Sequence, residues 1–182
     1  MTTQSKRVIA LGFFDGVHLG HQALLRRCAE RAAEKNLRSA VFTFDRSPKE
    51  AVSGKKVTLL TDAEERTAII RALFPIEDVI VAPFDRAMMT MPWQDFARLL
   101  VQRYGAAHLV AGHDFRFGHK GSGTTALLEE YCAEHGLGCD ILPAVTLHGT
   151  TVSSTYIRQL LQEKRYEEAE KFLGHGLLRE LP

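Results

Sequence analysis

Residues 7–13 read Arg-Val-Ile-Ala-Leu-Gly-Phe, a nearly continuous apolar run that is too short for a membrane span or a leader core. A run of this length without alternation is the pattern of a strand covered on both faces, which belongs to parallel sheets. The period then changes. Over residues 20–35, Leu24, Leu25, Cys28, Ala29 and Ala32 recur three and four apart, with Arg26, Arg27, Glu30 and Lys35 outside the stripe. A second strand follows at residues 38–44. Strand, helix and strand make a βαβ unit with a right-handed crossover, so the chain is expected to be α/β.

The alternation continues. Thr61 and Glu64 have the spacing of a capping box ahead of a helix reaching about Leu73, and a strand follows at residues 79–82. Pro92 opens a helix that ends near Gly105, and residues 108–112 read as another buried strand. A helix over residues 124–135 stops before Gly136, residues 139–142 form a short strand, and Ser153 or Ser154 caps a last pair of helices to Leu173. The expected architecture is a Rossmann-like, doubly wound parallel sheet of about five strands flanked by helices, in one domain over residues 1–182. Residues 45–60 and 113–123 lack a period and each follow a strand. In open α/β sheets that places them on the ligand side.

The apolar share of 45% and charged share of 25% are those of an ordinary folded protein. Cys28, Cys132 and Cys139 form no CxxC pair and read as reduced, mostly buried thiols, which with the polar opening residues predicts a cytoplasmic protein. A formal net charge of +1, with no basic run interleaved with aromatics, excludes nucleic acid and membranes as expected partners.

The chemistry concentrates where the first strand meets its helix, in Gly12-Phe13-Phe14-Asp15-Gly16-Val17-His18-Leu19-Gly20-His21. A helix N-terminus presents unpaired N–H groups and a partial positive charge, and therefore attracts phosphate. Gly20 lets backbone approach a ligand, while His18 and His21, about one turn apart, can donate to phosphoryl oxygens. Displacement at a phosphorus needs positioning and charge stabilisation more than a covalent nucleophile. Other readings stand beside this one. An HxxH pair is also half of a metal site, although no third and fourth ligand stand at a recognisable spacing, and two histidines can simply be surface residues. Asp15 can orient a magnesium ion or cap the turn, of which the cap is favoured. Phe115 and Phe117 can be a platform for a flat ring or buried packing.

The run Gly-Phe-Phe-Asp-Gly-Val-His-Leu-Gly-His-Gln resembles the nucleotide motif of the bacterial FAD synthetase family, in its N-terminal FMN adenylyltransferase module, within the HxGH nucleotidyltransferases. Ala111-Gly112-His113-Asp114-Phe115-Arg116-Phe117-Gly118, followed by Gly121 and Gly123, is similar to that family's loop near the flavin. Val152-Ser153-Ser154-Thr155-Tyr156-Ile157-Arg158 is similar to its second nucleotide motif. The resemblance implies transfer of AMP from ATP to FMN, giving FAD and pyrophosphate, with Mg2+ held mainly by the ATP phosphates rather than by a side-chain cluster. It implies catalytic roles for His18, His21 and Arg158, and ATP contacts at Gly12, Phe13, Phe14, Asp15, Gly20, Ser153, Ser154 and Thr155. Flavin contacts are implied at Phe44, Gly112, Asp114, Phe115, Phe117 and Gly118. ATP and FMN are the implied partners of a monomer or weak homo-oligomer.

The chain departs from the family pattern in places. Thr43-Phe44-Asp45-Arg46-Ser47-Pro48 carries one proline where many members are Pro-rich, and Thr151 stands where a basic residue is common. A riboflavin kinase domain is not expected in the residues after His175. The alternatives are a related adenylyltransferase acting on phosphopantetheine or nicotinamide mononucleotide, and a non-catalytic flavin- or nucleotide-binding protein.

Overall fold

A computed structural model describes residues 5–177. Its centre is a five-stranded, wholly parallel sheet in the order β3-β2-β1-β4-β5, formed by β1 (Arg7–Leu11), β2 (Arg38–Phe44), β3 (Asp78–Ala82), β4 (Ala106–Gly112) and β5 (Gly138–Leu142). β1 lies between β2 and β4, with Leu11 opposite Phe42 and Ile9 opposite Leu109. All five strands stand where the sequence places them, most with ends moved by one or two residues. The first ends at Leu11 rather than Phe13, because the backbone turns left-handed at Phe14.

Val8, Ile9 and Ala10 are fully buried, and the pleat sends alternate residues to opposite faces. Val8 and Ala10 pack with Leu24, Leu25 and Cys28 of α1 (Leu19–Lys35) and with Ile69 and Ile70 of α3 (Ala63–Leu73). Ile9 and Leu11 pack on the other face with Phe96 and Leu100 of α5 (Trp93–Gln102) and Leu128 of α6 (Thr125–Glu134). The sheet is therefore doubly wound, and the reversal of strand order beside β1 makes a crevice at the carboxyl ends of the strands.

A third cluster joins Leu60 to Val152, to Ile157 and Leu160 of α7 (Ser154–Gln162), and to Phe172 and Leu173 of α8 (Tyr166–Leu173). Gln22, buried on α1, fastens this pair of helices by donating to Val17 O at 3.0 Å and Leu173 O at 2.7 Å. Cys28 and Cys132 are buried, Cys139 is half-buried, and all three are free thiols. Among the described residues no helix is long and apolar enough to cross a membrane.

Some expectations need correction. The capping box of α3 lies one residue later, between Asp62 and Glu65, because the hydroxyl of Thr61 accepts from Gly16 N at 2.9 Å instead. Residues 45–60 are not wholly irregular: Ser47 caps a short helix α2 (Pro48–Ser53), which stops at a left-handed Gly54. Another short helix, α4 (Arg86–Thr90), begins at Asp85, and a small hairpin pairs β6 (Thr146–Leu147) with β7 (Thr150–Thr151).

Gln22→Met keeps the volume but leaves two buried carbonyls without a donor, at a cost of about 1–3 kcal/mol. The urea midpoint should fall with an unchanged m-value; an unchanged midpoint would show that the α7–α8 pair does not depend on this clasp.

Candidate active site

The link from β1 to α1 is a single 3-10 turn, Asp15–Val17, with left-handed backbone at Phe14 (φ 59°), Gly16 (φ 79°) and Val17 (φ 45°). A β-branched residue rarely adopts that conformation, so Val17 is strained and its surroundings must hold it there. Asp15 does much of this. Its Oδ1 accepts from Leu60 N at 2.8 Å and Thr61 N at 3.1 Å, and its Oδ2 accepts from Arg158 Nη1 at 2.7 Å. Its carbonyl accepts from Ser154 Oγ at 2.9 Å, and the Gly16 carbonyl lies 2.9 Å from His175 Nε2. Burial raises the carboxyl above its ordinary pKa, while the Thr61 N–H, the Arg158 guanidinium and the Leu60 N–H act in the opposite direction.

This turn delivers His18 as the N-cap of α1, with Nδ1 accepting from His21 N at 3.3 Å. A neutral imidazole bonded that way carries its proton on Nε2, which makes that atom the donor. The two rings stack at 3.6 Å between centroids, 14° from parallel, and Phe14 meets His21 edge-on at 5.2 Å. Gly20 makes room, since a Cβ there would lie 3.1 Å from the His18 ring. Burial lowers the His18 pKa to about 4 against the opposing pull of Asp114, and Arg158 adds to the lowering. Burial also lowers His21, helped by the charges of His18 and Arg66. Both imidazoles are therefore neutral at pH 7 and offer hydrogen-bond donors rather than cations.

A cavity of about 1100 Å³ opens beside His21, just above the range common for small-molecule sites (about 300–1,000 Å³). Gly12, Phe13 and Leu11 at the end of β1 form one wall, Phe44 ends β2, Gly112 ends β4, and Asp114, Phe115, Phe117 and Gly118 follow it. Phe117 is 6% exposed and packs against Trp93 and Phe96, whereas half-buried Phe115 stacks on it at 5.5 Å and 17°. Phe117 is packed inside and Phe115 lies over it, and both rings line the cavity. Gly118 has φ 73°, and any side chain there would strike the Trp93 backbone.

The other expected site residues divide by position. Phe14 is fully buried, so its ring supports His21 instead of facing the cavity. Asp15 is 4% exposed and serves as the cap of the turn. Ser153 caps α7 by accepting from Tyr156 N, Ser154 donates to Asp15 O, and exposed Thr155 accepts from Arg158 Nη2 at 3.3 Å. Sequence reasoning missed Val52, Phe84, Met88 and Met89, which line the far wall, and buried Arg66 behind Phe13. The run Pro83-Phe84-Asp85-Arg86-Ala87-Met88-Met89 just after a strand was the available signal for that wall.

Two outcomes are expected. An unfolded chain takes up the His18 proton near 6.5 and the folded one only near 4, so stability falls as pH drops through that window. Thermal melts of His18→Gln should show a shallower fall there, though not a flat one, because His21 and His108 are held down in the same way. Asp15→Ala breaks a buried pair and strands two N–H groups, and should cost about 3–5 kcal/mol in chemical denaturation. A loss below 1 kcal/mol would remove Asp15 as the organiser of the turn.

Comparison with known proteins gives the same placement. A Listeria monocytogenes bifunctional riboflavin kinase/FMN adenylyltransferase is 35% identical over 175 residues, which is 95% of this chain and 55% of that protein. A Geobacillus thermodenitrificans protein provisionally given the same name is 31% identical over 93% of this chain and 90% of its own length. A crystal structure described as a macrolide-efflux protein from Streptococcus pneumoniae superposes with a TM-score of 0.86 at 30% identity, covering 96% of this chain and 58% of that one. This chain thus spans little more than half of the Listeria relative. The family model described as FAD synthetase matches residues 1–156, and the chain belongs to the FAD synthetase family.

Proposed function

We propose that this chain is an FMN adenylyltransferase, transferring AMP from ATP to the phosphate of FMN and releasing pyrophosphate. The observation that carries the reading is one juxtaposition: neutral His21, stacked on His18 at the N-terminus of α1, adjoins a cavity walled by Phe13, Phe44 and Phe115. A phosphate-binding end beside flat apolar walls suits an acceptor with a phosphate at one end and a planar ring at the other.

An oxygen of the FMN phosphate attacks the α-phosphorus of ATP, forming a new P–O bond as the bond to pyrophosphate breaks. No proton need be removed from the attacking dianion. His18 donates through Nε2 and His21 through its ring N–H, and N–H groups of the first turn of α1, which lack intrahelical acceptors, meet the phosphoryl oxygens. Arg158 turns from Asp15 towards the departing pyrophosphate, where its planar fork offsets the growing charge. Gly12 and Gly20 allow close approach of backbone, and Ser154 and Thr155 contact the outer phosphates. Asp15 is already bonded to Arg158 and two N–H groups, so Mg2+ brought in with the nucleotide would be held mainly by phosphate oxygens, with exposed Asp114 the carboxylate on the cavity wall. Three free thiols accord with a cytoplasmic setting.

The test is incubation with MgATP and FMN, phosphopantetheine or nicotinamide mononucleotide, with products identified by mass. FAD and pyrophosphate are expected; adenylylation of another acceptor alone, or tight binding without pyrophosphate, overturns the reading. His21→Ala should lower kcat by about two to three orders of magnitude with the fold retained, the scale of losing one transition-state donor. Unchanged turnover would remove His21 from the mechanism.

A further inference from the structure

Arg66 lies in the first turns of α3, only 1% exposed, and is among the largest fully buried side chains of the protein. Its Nη2 donates to Phe44 O at 2.7 Å, and its guanidinium carbon lies 4.3 Å from the centre of the Phe13 ring. Nε and Nη1 are buried without a hydrogen-bond partner. A guanidinium taken out of water with one hydrogen bond is costly to keep, and a purely structural role would be met more cheaply by an apolar side chain of similar size. The cost becomes intelligible from what the group touches. Phe13 and Phe44 form the cavity wall at the ends of β1 and β2, and Thr43 Oγ1 ties the same two segments by donating to Phe13 O at 2.9 Å.

We infer that Arg66 is a positioning residue for the acceptor: from behind the wall it clamps the Phe13 ring and the end of β2 in the spacing a planar ring needs. It acts through those two residues, since it does not line the cavity. Its charge also acts on His21, whose pKa it helps to lower. Asp15 and Asp62 supply the opposing charge, neither within hydrogen-bonding distance of it.

This inference rests on the reading of the site as one that binds FMN, which the unmodified protein tests separately: no quenching of FMN fluorescence on titration would overturn that reading whatever Arg66 does. Given wild-type binding, Arg66→Met should raise the Kd for FMN on the order of tenfold, the scale of losing a desolvated cation–π contact. The Kd for a non-hydrolysable ATP analogue should stay within about twofold, and Arg66→Lys, which returns a cation over the ring, should recover most of the loss. In a double-mutant cycle with Phe13→Leu the two losses should not add, because one contact carries both. Unchanged FMN affinity, or equal weakening of both ligands without recovery by lysine, overturns the inference. If Arg66→Met does not fold, Phe13→Leu must show the selective loss by itself, and equal losses for both ligands there also overturn it.

Discussion

One carboxylate holds together the turn that leads from β1 into α1. Asp15 sits at the end of the central strand and bonds in three directions, to the backbone of Leu60 and Thr61 and to the side chain of Arg158. These partners lie 45, 46 and 143 residues away along the chain. Without such a hub the left-handed Val17 has no reason to stay strained, and His18 no reason to sit at the N-cap with its ring stacked on His21. The pair is well placed to be strong, because Asp15 and Arg158 are 6% and 18% exposed at the side chain, where water screens little. The hub also joins the sheet to the α7–α8 cluster, so packing remote from the cavity bears on the geometry of the histidines.

The electrostatics of the site follow from burial more than from pairing. For His18, desolvation outweighs the attraction of Asp114, and for His21 no opposing carboxylate is effective. With both rings neutral and Asp15 matched by Arg158, the positive character beside the turn comes from the N-terminus of α1 and from Arg66, apart from Lys49, Arg116 and Lys120 on the cavity wall. Such a field is fixed by the fold and does not titrate near neutrality, which suits the proposed reaction between two polyanions.

The sheet was legible because its signals are local. An unbroken apolar run, a stripe at helical spacing and glycine stops each describe one element, and the five strands stand where those patterns put them. Residues of the first two motifs lie together at the carboxyl ends of the strands, beside the cavity. What could not be read were side-chain partners set by distant segments. Nothing local distinguishes a Phe14 that supports His21 from one that faces a nucleotide, or tells which of Phe115 and Phe117 is inside. Arg66 is the sharpest case, since an arginine two residues after Glu64 on a helix reads as solvated and its burial exists only because β2 and Phe13 close over it. Thr61 misled for the same reason: its hydroxyl was claimed by Gly16, and the capping box moved to Asp62.

The hydroxyl of Ser154 and the guanidinium of Arg158 are both already bonded, to the carbonyl and the carboxylate of Asp15. A triphosphate that recruits them does not add bonds to idle groups but displaces existing ones, in the manner of ligand substitution. Only the difference between old and new partners counts towards affinity, and that difference is largest when the incoming oxygen carries the most charge. In the proposed adenylyl transfer, the exchange would therefore favour the moment at which pyrophosphate parts from the α-phosphorus over the ground state that precedes it.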